Sequence, residues 1–126
     1  MRIIEQQMLT AISRRLNWRK SNTEVRIECD GQIAAVYLFG NLIALYFYAT
    51  RTMRISSAGW RTRTTKSRLN VLLEQYGVHI YQRNGVWRFS DTDTPFIDEP
   101  VESILAQRIA MMRSGVTKRD DNVFVA

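Results

Sequence analysis

Two hydrophobic periods alternate along the chain. Ile4, Met8, Leu9, Ile12 and Leu16 recur at the three- and four-residue spacing of one helical face and predict an N-terminal helix. From Val25 the period becomes two. Val25–Cys29 and Ile33–Phe39 predict strands joined at Asp30-Gly31, with Cys29 a buried strand residue, and Gly40-Asn41 predicts the turn into a third strand, Leu42–Tyr48. That strand is apolar at nearly every residue, the pattern of a strand covered on both faces or of a contact between copies of the chain. A short fourth strand is predicted around Met53–Ser56. Leu69, Leu72, Leu73 and Tyr76 return to helical spacing, and Gly77 stands where a left-handed residue ends a helix without a Cβ penalty. Val78–Tyr81 and Val86–Phe89 predict a hairpin through Asn84-Gly85. Finally, Asp98 as N-cap and Pro100 in the first turn precede Val101, Ile104, Leu105, Ile109 and Met112 on one face, which predicts a C-terminal helix from about Pro100 to Arg113.

This order predicts an α+β fold: a mainly antiparallel sheet of about five to six strands, one central helix, and flanking N- and C-terminal helices. It predicts one domain over residues 1–113, with its core at 22–89, its C-terminal helix at about 100–113 and a flexible tail at 114–126. Asn17–Thr23 reads as a loop. In it Trp18, beside Arg19 and Lys20, either covers the sheet or stacks on a base.

Charge changes the picture more than composition does. The 126 residues suffice for one modest core, and 45% hydrophobic with 24% charged residues is ordinary for a globular protein. The formal net charge is +6, however, and no acidic residue lies between Asp30 and Glu74, whereas Arg51, Arg54, Arg61, Arg63, Lys66 and Arg68 all do. A field of one sign favours an anionic partner. Cys29 is the only cysteine, so no intrachain disulfide forms and a reducing compartment fits. The N-terminus turns polar too early for a signal peptide, and the longest apolar run is broken at Gly40-Asn41, so no membrane association is expected.

The chemistry concentrates in Gly59-Trp60-Arg61-Thr62-Arg63-Thr64-Thr65-Lys66-Ser67-Arg68-Leu69-Asn70, where the strand region gives way to the central helix. Thr64 or Thr65 is the expected N-cap. Arg63, Lys66 and Arg68 crowd the first turns, where the macrodipole is already positive and each added cation costs roughly 0.3–1 kcal/mol. An anion docked there removes that cost. The predicted phosphate-contacting set is therefore Arg61, Arg63, Thr64, Thr65, Lys66 and Arg68, with Trp60 as a stacking plane and Arg51 and Arg54 added from the preceding strand. The order Thr-Thr-Lys-Ser is not that of a P-loop. The acidic stretch from Asp91 to Glu102 is a candidate counter-charge that folds over the basic loop.

No His/Cys/Asp grouping has metal-ligand spacing, and no hydrolase, dinucleotide or kinase signature is present, so neither a cofactor nor an enzyme is expected. An enzyme acting on a nucleotide or phosphodiester requires Asp93, Asp98 and Glu102 to gather around Mg²⁺.

Val36-Tyr37-Leu38-Phe39-Gly40-Asn41-Leu42-Ile43-Ala44, followed by Gly59-Trp60 and Thr64-Thr65-Lys66-Ser67-Arg68-Leu69-Asn70, resembles a group of small uncharacterised proteins of tailed bacteriophages. The resemblance spans roughly residues 22–89. It implies an intracellular product, made in the cytoplasm of an infected bacterium, with no activity to carry over. Where the group has a short glycine turn, this chain has Ala49-Thr50-Arg51-Thr52, which adds basic charge. The combined expectation is a small non-enzymatic phage-type protein that binds nucleic acid. The alternative is a modulator or inhibitor that meets an acidic host protein.

Overall fold

The computed structural model describes residues 2–114; the tail expected beyond the C-terminal helix lies outside the described residues. Five strands form an antiparallel meander in chain order: β1 (Trp18–Lys20), β2 (Thr23–Glu28), β3 (Ile33–Leu38), β4 (Asn41–Phe47) and β5 (Thr52–Ile55). Three helices pack on it: α1 (Ile3–Arg14), α2 (Arg63–Leu73) and α3 (Val101–Ser114). The expected α+β class holds. The hairpin, β6 (Ile80–Arg83) and β7 (Val86–Phe89), forms a separate two-stranded sheet.

Alternation along the strands builds two cores. Val25, Ala34, Val36 and Ile43 face Met8 and Ile12 of α1, Leu69 and Leu72 of α2, and Ile80 and Trp87 of the hairpin. Ile33, Ala35, Leu42, Leu45 and Phe47 point the other way, onto Val101 and Leu105 of α3. This explains the continuous apolar run of β4. Helices cover both of its faces within one chain, so the run is not surface left over for a second copy.

Four local expectations are corrected. Asn17–Thr23 is not a loop: it holds β1, whose Trp18 pairs with Val25 and packs on the first core. Cys29 is not a strand residue; it sits half-buried in the β2–β3 turn at φ +54°, and burial pushes its thiol pKa up. Asp98 does not cap α3, because its carboxylate accepts from the Ser57 N–H at 2.6 Å and the Ser57 hydroxyl at 2.8 Å. The β3–β4 turn is Phe39-Gly40, not Gly40-Asn41: Leu38 pairs with Asn41, a register that keeps Val36 and Leu38 on the core face.

One polar side chain docks the hairpin. Asn70 accepts from the Ile80 N–H at 2.6 Å and donates to the Ile80 carbonyl at 3.0 Å, so it completes a strand end inside the core. Ile80 is 2% exposed, and water does not replace these bonds. Asn70→Ala is expected to cost about 1–3 kcal/mol for each backbone group left unpaired, read as a lower urea midpoint. Asn70→Asp, which keeps the acceptor and loses the donor, is expected to fall between.

Candidate nucleic-acid interface

The loop after β5 turns back against the β3–β4 turn, and the two enclose a groove of about 400 Å³. Leu38 and Ile43 line it together with Ser57, Thr62 and Thr65. Phe39 and Trp60 also line it, and both are unusually open for large aromatics, at 70% and 61% exposure. Phe39 further borders a second, more open groove toward the β1 edge, which contains Arg19, Asn22 and the ion pair of Glu24 with Arg26.

Phe39 stands out for its backbone. It has φ +51° and Gly40 +78°, the pair of left-handed residues that a type I′ hairpin turn needs. Glycine fills that role freely, but a bulky side chain in the left-handed region is strained by about 1–2 kcal/mol. Phe39 therefore carries strain at the turn and brings little burial to the core.

The predicted phosphate-contacting residues do not all share one surface. Arg68 is 2% exposed and turned inward. Its guanidinium pairs with Glu5 of α1 at 2.9 Å and donates to the Thr23 hydroxyl at 3.0 Å and the Asn22 side chain at 3.3 Å. Glu5 also accepts from Ser67 at 2.6 Å and from the Arg2 N–H at 3.2 Å. The charge that reads from sequence as surplus at a helix start is thus half of a buried ion pair joining α1, α2 and β2. Thr65 is 2% exposed as well. It is not the N-cap: Thr62 is, its hydroxyl accepting from the Thr65 N–H at 3.2 Å.

Acidic residues answer part of the rest. Arg54 pairs with Glu99 on the α3 side of β5. Arg61 pairs with Asp98 at 3.5 Å and lies over the rings of Phe96 and Trp87 at 5.1 and 5.7 Å from their centroids. The carboxyl of Asp98 is held below the usual range: burial alone raises it, but the two bonds from Ser57 and the nearby Arg61 outweigh that. Of the acidic stretch, then, Asp98 alone meets the loop as a counter-charge, and Glu99 meets the preceding strand. Arg51 lies elsewhere, in the β4–β5 turn at the opposite end of β4 from the groove. What stays exposed at the groove end is Trp60, Arg63, and the partly exposed Thr64 and Lys66; among the described residues neither cation has an ion-pair partner.

Asp93, Asp98 and Glu102 do not gather. Asp93 holds Tyr81, Arg83 and Arg88 of the hairpin while Asp98 holds Ser57, and no metal-holding group of His, Cys, Asp or Glu forms among the described residues. The two tyrosines of β4 and its end pack: Tyr46 and Tyr48 meet edge to face at 5.0 Å, and the Tyr48 hydroxyl bonds the Ile12 carbonyl.

The family model for the Kyanoviridae Gp96 protein matches residues 1–122. The chain belongs to the Kyanoviridae Gp96 family, a family of phage proteins. No curated protein and no solved structure matches it. The Kyanoviridae Gp96 match reaches well beyond residues 22–89 and takes in both end helices. The packing agrees, because α1 supplies Glu5 to the buried pair and α3 closes the second core. Among the described residues of this Kyanoviridae Gp96 chain, no helix is long and apolar enough to cross a membrane.

Leu38, Phe39, Asn41, Ile43, Ser57 and Thr62 are the groove residues outside the predicted phosphate-contacting set. None of them leaves a periodic signal of the groove: Phe39 only extends an apolar run in β3 whose consecutive residues serve the two cores in turn.

Proposed function

We propose that this protein is a non-enzymatic binder of single-stranded nucleic acid, with the groove between Phe39 and Trp60 as its base-stacking surface. The observation that carries the reading is the pair of exposed aromatics lining one groove on a chain of net charge +6. Stacking platforms beside basic side chains are the usual means of holding a single strand without base readout. Arg63 and Lys66 follow the groove residues Thr62 and Thr65 directly in α2, and would meet phosphates there. Arg19, beyond Phe39, extends the positive rim. Arg68 and Thr65 serve the fold, and Arg54 and Arg61 are partly neutralised, so the working set is smaller than the basic cluster itself.

The test is titration of the purified, nuclease-treated protein with fluorescent single- and double-stranded oligonucleotides at several salt concentrations. Micromolar binding with preference for the single strand is expected, with log K falling by about 0.7 per phosphate contact as log salt rises. Charge reversal at Arg63 and Lys66 together is expected to weaken binding at least tenfold and reduce that slope by about 1.4, with little change in melting temperature. An unchanged affinity in this variant counts against the assignment.

The apolar floor of the groove, Leu38 and Ile43, supports a second reading, in which the same groove takes an apolar side chain of a host protein and modulates it. Absence of oligonucleotide binding at low salt, together with nuclease-resistant capture of one host protein that Trp60→Ala abolishes, would favour it.

A further inference from the structure

The far end of β4 carries a second cluster that the groove does not use. Phe47 and Tyr48 are successive residues there, and their rings face opposite layers of the sheet, as the strand period requires. Each ring bears an arginine. The Arg15 guanidinium lies 4.1 Å from the Tyr48 centroid, and that of Arg108 lies 4.7 Å from the Phe47 centroid. Arg15 follows the end of α1 and Arg108 belongs to α3, so the two cations come from opposite sides of the sheet. Around the strand end both line one cavity of about 260 Å³, together with Gln32 and Thr50.

Stacking holds a guanidinium in a fixed plane while its edge N–H groups stay available to acceptors. Arg15 uses one of them on the Gly31 carbonyl at 3.2 Å. Among the described residues no carboxylate pairs with either side chain. Two like charges lining one small cavity repel each other, and an anion between them reverses that. Thr50, which lines the cavity, precedes Arg51 in the same turn.

We propose that this cavity is a phosphate-binding site in which Arg15 and Arg108 clamp one phosphate group, of a nucleotide or of a nucleic-acid strand. Paired guanidinium forks match phosphate oxygens in geometry as well as charge. The site stands apart from the Phe39–Trp60 groove, since β4 separates them by roughly 20 Å at about 3.4 Å per residue. Either one therefore stands or falls alone.

The test is NMR titration of the full chain with inorganic phosphate at ionic strength fixed by sodium chloride, following the arginine Nε–Hε resonances. Saturable shifts at Arg15 and Arg108 are expected, with affinity at least tenfold weaker in Arg108→Gln and in Arg15→Gln. Arg108→Lys, which keeps the charge and loses the fork, is expected to fall between. Trp60→Ala is expected to bind phosphate like the parent. Arg108 is exposed on α3, so its variants are expected to melt like the parent without phosphate. Titration with AMP and with an oligonucleotide lacking terminal phosphates then separates the sources: AMP alone assigns a terminal phosphate, and both together assign the backbone. Shifts that never saturate, or parental affinity in either glutamine variant, overturn the proposal.

Discussion

Arg68→Ala is expected to lower the unfolding free energy by about 3–5 kcal/mol, a large fraction of what a domain of this size possesses. Arg68 and Glu5 are each 2% exposed, so truncating one strands the other charge in the core. The loss also frees the Thr23 hydroxyl and the Asn22 side chain, and the Asn22 carbonyl anchors the Phe39 N–H at 2.7 Å. The groove should therefore loosen along with the fold. Urea unfolding measures the effect, and a double replacement, Glu5→Leu with Arg68→Met, separates its causes. If the cost is that of an unpaired charge, the double variant recovers most of the stability; if the pair is itself strongly favourable, it does not. The same site gives a pH signature. Burial pushes the Glu5 carboxyl up, but bonds from Ser67, the Arg2 N–H and Arg68, with the Arg68 charge, bring it below its ordinary value. A carboxylate depressed in the folded state contributes stability that is complete above its unfolded pKa, about 4.3, and is lost as pH falls through the folded value. The parent's urea midpoint should thus drop below about pH 4, and the drop should be shallower in Glu5→Gln. Identical acid profiles for the two proteins would contradict this.

Much of the fold is legible in periodicity alone. Of the predicted stripe, Val101, Ile104, Leu105 and Ile109 form the face that α3 turns to the sheet, because one helical period explains them. The Asn84-Gly85 hairpin forms where that pair requires it, with both residues at positive φ. The β3–β4 turn is less legible. Phe39-Gly40 and Gly40-Asn41 are each short enough to make a hairpin, and the choice between them is made by which register buries Val36 and Leu38, a tertiary fact. The inward turn of Arg68 is hidden for a related reason. A positive run looks like a surface field when counted along the chain, yet Arg68 lies four residues before Leu72 and so shares the core-facing side of α2. Glu5 lies three residues before Met8, inside the apolar stripe of α1. An acid on one apolar stripe and a base on another are the mark of a buried pair, visible only when both helices are considered together. The groove left still less trace, because its walls come from two turns that meet only in three dimensions.

Phe39→Asn combined with Trp60→Ala is expected to abolish most single-strand binding, since each stacked base contributes about 1–3 kcal/mol and two platforms are lost. The single variants divide that loss and are told apart by the melting temperature. Trp60→Ala removes a 61% exposed ring from a loop and should leave the melting temperature nearly unchanged. Phe39→Asn should raise it. An asparagine before Gly40 is the preferred type I′ pair, and it relieves a left-handed backbone that costs a bulky residue about 1–2 kcal/mol while giving up a side chain that is 70% exposed. A net gain of about 1 kcal/mol corresponds to roughly 4 °C. A residue whose replacement stabilises the fold and weakens the ligand is one whose strain is tied to binding. If Phe39→Asn instead lowers the melting temperature, the ring supports the turn by packing. If it gains stability with affinity intact, Phe39 has no part in the groove's work, and Trp60 with its basic neighbours must hold the strand alone.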